Sequence, residues 1–286
     1  MGLFSFTQEL AIDLGTANTL IMCGDKVVVN EPSVVAISTV DSKCVAVGRK
    51  AQQMIGRGGM MVKTVRPLKE GVIADFYACE MMIRGMIRMI PKQPHLFTPS
   101  IRMVVGIPSG CTEVEIRAVR DSSEHAGGRD VYMIFEPMAA AIGIGIDVES
   151  PTGCMIVDIG GGTTEIAVIS LGGIVSNRSI KVAGDDFNQD IIEYMSRMHN
   201  LKIDEPTAER IKIQVGSALP ELEDAPEDYV VIGPNKVTAL PMSVPVGYQE
   251  IANCLEKSIS KIESAILQAL EATPPELYAD IVQNGI

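Results

Sequence analysis

Two short stretches of the chain place an acidic residue at the end of an apolar run and open directly into small residues. Ile12-Asp13-Leu14-Gly15-Thr16-Ala17-Asn18-Thr19 is echoed by Val157-Asp158-Ile159-Gly160-Gly161-Gly162-Thr163-Thr164, with Asp, Gly and Thr in the same relative places 145 residues later. Glycine lets a backbone turn tightly and approach a ligand closely, so successive N–H groups in such a turn can point into one concavity and bind phosphate. Threonine hydroxyls add donors. An Asp at each strand end would face the same phosphates and repel them unless a cation intervened, so the pair suggests Mg²⁺ held largely through water by Asp13 and Asp158. A single Asp-x-Gly is an ordinary hairpin turn; two copies with matching apolar flanks indicate a duplicated β-hairpin in two homologous domains.

The elements that must position these turns follow a βα pattern. Residues 101–107 read as a strand, and Thr112-x-x-Glu115 reads as a capping box that starts a helix carrying Ile116, Val119 and Ala126 and stopping at Gly127-Gly128. Residues 131–135 form the next strand, followed by Glu136-Pro137 and a small-residue helix over 138–143. Ligands of open α/β sheets bind at such strand ends, which places Glu136 as a site residue. Further on, Phe187, Ile191, Met195 and Met198 mark an amphipathic helix, and the stripe Tyr248, Ile251, Leu255, Ile259, Ile262, Ile266 and Leu270 a long one facing a core.

Composition narrows the class. The chain has 286 residues, 47% of them hydrophobic, and a mean hydropathy of +0.22, enough to bury a large core in one large or two medium domains. No apolar run reaches the ~18 residues of a spanning helix, and no basic-then-apolar leader opens the chain, so a cytoplasmic protein is expected. The net charge of −12 argues against a nucleic-acid surface. The basic residues Arg49, Arg57, Lys63, Arg66 and Lys69 suit a solvated face or a subunit contact. The six cysteines have no metal-ligand spacing and read as buried free thiols; His95, His125 and His199 lie in different elements and read as surface or helix-end residues. Gly143-Ile144-Gly145 lacks a dinucleotide fingerprint and reads as a hinge.

Asp13-Leu-Gly-Thr, Glu136-Pro-Met-Ala-Ala-Ala-Ile-Gly and Asp158-Ile-Gly-Gly-Gly-Thr-Thr-Glu together resemble the phosphate-side motifs of the MreB family of bacterial actin-like proteins. The resemblance runs essentially end to end. Glu31-Pro32-Ser33-Val34-Val35-Ala36 and Ala183-Gly184-Asp185-Asp186-Phe187 are similar to stretches of that family and separate it from chaperones and sugar kinases of the same fold. Pro206-Thr207-Ala208-Glu209-Arg210-Ile211-Lys212 resembles the family helix that borders adenosine, which puts Glu209 and Lys212 beside ribose and base. From spacing alone these two share a helix face, as a surface ion pair also would.

The resemblance implies an actin-like, ribonuclease H-like α/β fold of two duplicated domains around a nucleotide cleft. The expected subdomains are IA at residues 1–31 and 70–143, IB at 32–69, IIA at 144–180 and 243–286, and IIB at 181–242. It also implies ATP with Mg²⁺ as ligands. The expected nucleotide contacts are Gly15, Thr16, Ala17, Asn18, Thr19, Gly160, Gly161, Gly162, Gly184, Asp185, Glu209, Arg210, Ile211 and Lys212. Glu136 would orient the attacking water, with Thr163 helping. The expected activity is slow ATP hydrolysis in a self-assembling filament, with paired protofilaments, that organises cell-wall synthesis and rod shape with the wall-elongation machinery at the inner face of the membrane. Leu96 and Phe97, in a loop bounded by Pro94 and Pro99, are the expected membrane contact, with an apolar group at Met1, Leu3, Phe4 and Phe6. The rival is a soluble small-molecule kinase of the same superfamily, which would need an acceptor-side base that the sequence does not offer. Residues 279–286 read as the approach to a strand and glycine-rich turn that family members set against adenine, so a C-terminally incomplete fold and weakened ATP binding are expected.

Overall fold

Apolar residues at alternate positions of β1 (Thr7–Leu14) turn Leu10, Ile12 and Leu14 to one buried face. In the computed structural model, which describes residues 7–91 and 100–286, β1 runs antiparallel to β2 (Asn18–Cys23), and β2 antiparallel to β3 (Lys26–Pro32). Two more compact elements follow, a small sheet of β4 (Val35–Ser38), β5 (Cys44–Val47) and β6 (Val62–Val65), with the short helix α1 (Arg49–Gln52) before β6, and a ribbon of β7 (Leu68–Lys69) and β8 (Val72–Ile73). Helix α2 (Phe76–Ile87) is capped by Asp75 and buries Ala78, Cys79, Met82, Ile83 and Met86.

Strand β9 (Ser100–Ile107) then pairs parallel to β1, helix α3 (Glu113–His125) crosses back, and β10 (Gly128–Phe135) pairs parallel to β9, giving a mixed sheet in the order β10-β9-β1-β2-β3. The Thr112/Glu115 capping box is formed at α3 as the sequence indicates. β10 begins three residues before the expected 131, because Gly128 already pairs with Ile101. Helix α4 (Glu136–Gly143) follows without a gap. An antiparallel sheet of β11 (Cys154–Ile159), β12 (Thr164–Ser170) and β13 (Gly173–Ile180) completes this part of the chain.

These elements belong to one compact unit, Met1–Lys181 with Ala269–Ile286; Val182–Gln268 forms the other. The second holds α5 (Gly184–Met198), α6 (Glu205–Val215), the hairpin β14 (Tyr229–Pro234) and β15 (Pro241–Val246), and most of α7 (Tyr248–Glu271). Its core joins Ile191 and Met195 to Ile211, Val231, Ile251 and Leu255. Met198, counted in the α5 stripe from sequence, is 58% exposed at the helix end, beyond the core.

Helix α8 (Pro275–Asn284) takes up most of the final stretch read as leading to a strand. Pro275 starts it, Ile281 is buried, and Asp280 accepts a hydrogen bond from the Gly153 N–H at 2.8 Å in the first unit. Among the cysteines only Cys79 is fully buried and Cys44 is exposed, so the thiols are less uniformly interior than their scatter suggested; all are free. His125 ends α3 and His199 follows α5, as expected of helix-end residues, whereas His95, Leu96, Phe97 and the apolar group before residue 7 lie outside the described residues. No helix among the described residues is long and apolar enough to cross a membrane.

Candidate functional site

The repeat seen in the sequence is a repeat in register. In the first hairpin Asp13 lies opposite Leu20 and Leu14 opposite Thr19; in the second, Asp158 lies opposite Glu165 and Ile159 opposite Thr164. Each Asp therefore occupies the same rung, one residue before its strand ends.

The first turn is shaped from outside itself. Ser33, fully buried, donates its hydroxyl to the Gly15 carbonyl at 2.6 Å and its N–H to the Ala17 carbonyl at 2.9 Å, and shares a further hydrogen bond with the Thr19 hydroxyl at 2.8 Å. Because a trans peptide sets its N–H opposite its own C=O, holding these two carbonyls turns the N–H groups of Thr16 and Asn18 away from Ser33. Thr19 has no exposed surface, so its side chain supports the turn from within. A Cβ on Gly15 would stand 2.6 Å from the Asn18 carbonyl oxygen, which is why only glycine fits. Asn18 is exposed and Ala17 half-buried at the rim.

The second turn is closed by the Gly160 N–H on the Thr163 carbonyl at 2.9 Å. It lies against the first: a Cβ on Gly161 would stand 2.6 Å from that of Ala17, and one on Gly162 would stand 2.9 Å from the Thr16 hydroxyl and 3.0 Å from the Glu70 backbone. Thr16 Oγ1 accepts from the Gly71 N–H at 3.0 Å, and the Thr163 side chain packs on the same glycine. The Glu70-Gly71 corner thus braces both turns. Gly71 has φ +77°, which asks for glycine there, and Lys181 holds Glu70 at 2.8 Å. Sequence reasoning missed Ser33 and this corner as parts of the site. Gly71 after Lys69-Glu70 carried a turn signal, but nothing local tied it to residues 16 or 162.

Three carboxyls gather behind the turns. Burial pushes Asp158 up, with the Glu165 charge adding to it; burial and then Asp158 do the same to Asp13, although one side of Asp13 stays open to water. Glu136, the first residue of α4, is raised from 4.5 to about 8, by burial first and then by Asp13, Glu165 and Asp158. Its helix N-terminus favours the charged form by ~0.3–1 kcal/mol. That is less than the ~1.4 kcal/mol of one pKa unit, so burial and like charge win. Gly106 of β9 lies beside it: a Cβ there would stand 3.4 Å from Glu136 Cγ, in ordinary contact. The Cys111 thiol is pushed up to about 12 by burial, Glu115, Glu136 and Glu165, so it is inert.

Such a group of carboxyls, each disfavoured as an anion, fits a divalent cation. Among the described residues no three or more His, Cys, Asp or Glu side chains converge to chelate a bare ion. Asp13 and Asp158, one at the end of each hairpin's first strand, would be the carboxyls to hold an ion that keeps its water.

In the second unit Gly184 opens α5, with Asp185 beside it in the first turn. Lys212 Nζ lies 2.7 Å from Glu209 Oε2 and donates to the Gly184 carbonyl at 3.1 Å, while Asn188 Nδ2 donates to Glu209 at 2.7 Å. The structure therefore brings Gly184, Glu209 and Lys212 together. It sends Ile211 into the core with no exposed surface, and Arg210 to the exposed side, where it donates to the Thr207 hydroxyl at 2.8 Å.

A mixed sheet carrying one glycine hairpin, joined to a second sheet carrying its twin, defines an actin-like α/β protein. The family model described as MreB/Mbl protein matches residues 7–286, and the chain belongs to that family. It is 46% identical over 286 residues to the cell shape-determining protein MreB of Escherichia coli K12, covering 98% of this chain and 82% of the relative. Among solved structures, MreB5 of Spiroplasma citri bound to AMPPNP aligns with a TM-score of 0.89 at 37% identity, over 98% of this chain and 83% of that one. The double helical filament of MamK aligns with a TM-score of 0.77 at 21% identity, over 97% and 84%, a likeness of fold.

Proposed function

We propose that this chain binds ATP with Mg²⁺ and hydrolyses it slowly as the subunit of a filament. The observation that carries this reading is the pair of hairpins in one register, their glycine turns in contact, with three carboxyls behind them. Membership of the MreB/Mbl family and the likeness to a nucleotide-bound relative support it, and neither favours the kinase alternative.

In this reading the turns at Gly15–Thr19 and Gly160–Gly162 donate N–H groups to the β- and γ-phosphates. Asp13 and Asp158 hold hydrated Mg²⁺, which when bound supplies positive charge to the phosphates. Glu136 orients water in line with the γ-phosphate, and Thr163 donates or accepts one further hydrogen bond to that water. Its raised pKa gives Glu136 a proton-accepting range near neutrality once a cation offsets the neighbouring charges. Of the second unit's residues, we assign Gly184, Asp185, Glu209 and Lys212 to the ribose and base. The chain divides into subdomains IA (residues 1–31 and 70–143), IB (32–69), IIA (144–180 and 243–286) and IIB (181–242) in this proposal.

The family likeness supports self-assembly; paired protofilaments at the inner face of the membrane, in service of wall synthesis and rod shape, complete the proposal. Leu96 and Phe97 are the proposed membrane contact; at ~1.5–3 kcal/mol per buried side chain, many weak anchors along a polymer sum to firm binding. Electron microscopy of the chain with Mg·ATP and lipid vesicles tests the whole: paired filaments with phosphate release support it, and ADP formation only when a small hydroxyl acceptor is added would replace it with the kinase. Vesicle sedimentation of Leu96→Ser/Phe97→Ser should fall sharply, and unchanged pelleting would reject the anchor.

A further inference from the structure

Strand β12 is buried along its whole length, from Thr164 to Ser170, and its middle is apolar: Ile166, Ala167, Val168 and Ile169. Glu165 is its one charged residue. It is 1% exposed, lies opposite Asp158 on one side and opposite Ser179 on the other, and occupies the rung that Leu20 fills in the first hairpin. A carboxylate in such a place costs several kcal/mol unless it is fully hydrogen-bonded. Leucine would serve stability better.

The partners show what the charge is spent on. One oxygen of Glu165 accepts both the N–H of Ser109, at 3.0 Å, and the Ser109 hydroxyl; the other accepts the Ser179 hydroxyl from β13. The Ser109 carbonyl in turn accepts from Asn177 Nδ2 at 3.2 Å, so every polar group of Ser109 is held by the β11-β12-β13 sheet. Ser109 stands two residues beyond β9, the strand between β1, which carries Asp13, and β10, which delivers Glu136. The same loop reaches the turns, because Pro108 and Thr163 both pack against Gly71. One side chain therefore ties the sheet bearing Asp13 and Glu136 to the sheet bearing Asp158 and Thr163. Charge-assisted hydrogen bonds are short and about twice as strong as neutral ones, which makes the tie stiff.

We infer that Glu165 is a positioning residue: by gripping Ser109 it fixes one sheet against the other and so sets the reach from Glu136 to the phosphate side of the site. The inference rests on the proposed ATP reaction for its kinetic consequence. A water-orienting group displaced by ~1 Å can lose ~100-fold in rate with its ligand still bound.

The test uses the full chain with Mg·ATP and measures phosphate release in single turnover beside the affinity for a fluorescent ATP analogue. Glu165→Gln and Ser109→Ala should each slow release about tenfold or more while affinity stays within about threefold, and the double variant should be no slower than Glu165→Gln alone. Ser109→Thr, which keeps both donors, should restore the parent rate. Release at the parent rate in Glu165→Gln, losses that multiply in the double variant, or affinity that falls as far as rate would overturn the inference. If Glu165→Gln does not fold, Ser109→Ala and Ser179→Ala, which each remove a single hydroxyl, carry the comparison. Amide exchange of the nucleotide-free chain separates the two readings: a parent that releases no phosphate sinks the ATPase proposal, while an Ser109 N–H whose protection is the same in Glu165→Gln and parent sinks the tie.

Discussion

The two glycine hairpins share a register and differ in what steadies them. The first is shaped by neutral hydroxyls, Ser33 and Thr19, and has Leu20 opposite its Asp13. The second is closed by its own Gly160–Thr163 hydrogen bond and has the buried Glu165 opposite its Asp158. Equal backbones thus carry unequal electrostatics. Asp158 feels Glu165 directly, whereas Asp13 feels its like-charged neighbour only across the turns. A duplicated element need not divide the work evenly: one copy can hold ligand geometry while the other links that geometry to the rest of the fold.

The largest expected effect comes from Glu136, which belongs to neither hairpin and feels the acids of both. Glu136→Ala should cut phosphate release by about 100-fold or more with nucleotide affinity nearly intact; equal release by variant and parent removes Glu136 from the mechanism. Next are the two acids. Asp158→Ala and Asp13→Ala should each weaken Mg²⁺-nucleotide binding by roughly 10- to 100-fold, as loss of a water-mediated ligand does. A magnesium titration unchanged in either variant would show that the hairpins do not share the cation.

A smaller contrast concerns the turns themselves. Gly15→Ala drives a Cβ to 2.6 Å from the Asn18 carbonyl oxygen, while Gly160→Ala meets the Thr163 carbonyl oxygen only at 3.3 Å. Thermal unfolding should show the first variant destabilised by about 1–3 kcal/mol and the second by clearly less; equal losses would mean that the first turn can yield.

The smallest effect is on pH. The Glu136 carboxyl is raised from 4.5 to about 8 in the folded chain, so between those values the native state holds a proton that the unfolded state has released. Its contribution to stability is present below about 4.5 and is lost as pH rises through about 8. The nucleotide-free chain should therefore lose Tm between pH 5 and 8 from this group, and Glu136→Gln should flatten the slope. An equal slope in parent and variant would assign it elsewhere.

What the sequence by itself determined is local. Asp-x-Gly turns, the Thr112/Glu115 capping box and the strand-end place of Glu136 each sit within a few adjacent residues, where backbone demand and chemistry coincide, and each was legible there. Glu209 and Lys212 were legible as a pair because helical spacing brings residues three apart onto one face. Tertiary structure alone decided the rest. Ser33 reaches Gly15 only because β3 folds back on β2, Gly71 reaches Thr16 across 55 positions of chain, and Glu165 meets Ser109 across 56. A glutamate next to two threonines in a strand looks like a solvent-facing residue until both faces of that strand are covered. Burial is a property of what packs around a residue, and hydrogen bonds to a buried charge are set by elements far apart in sequence, so neither is written in the residues beside it.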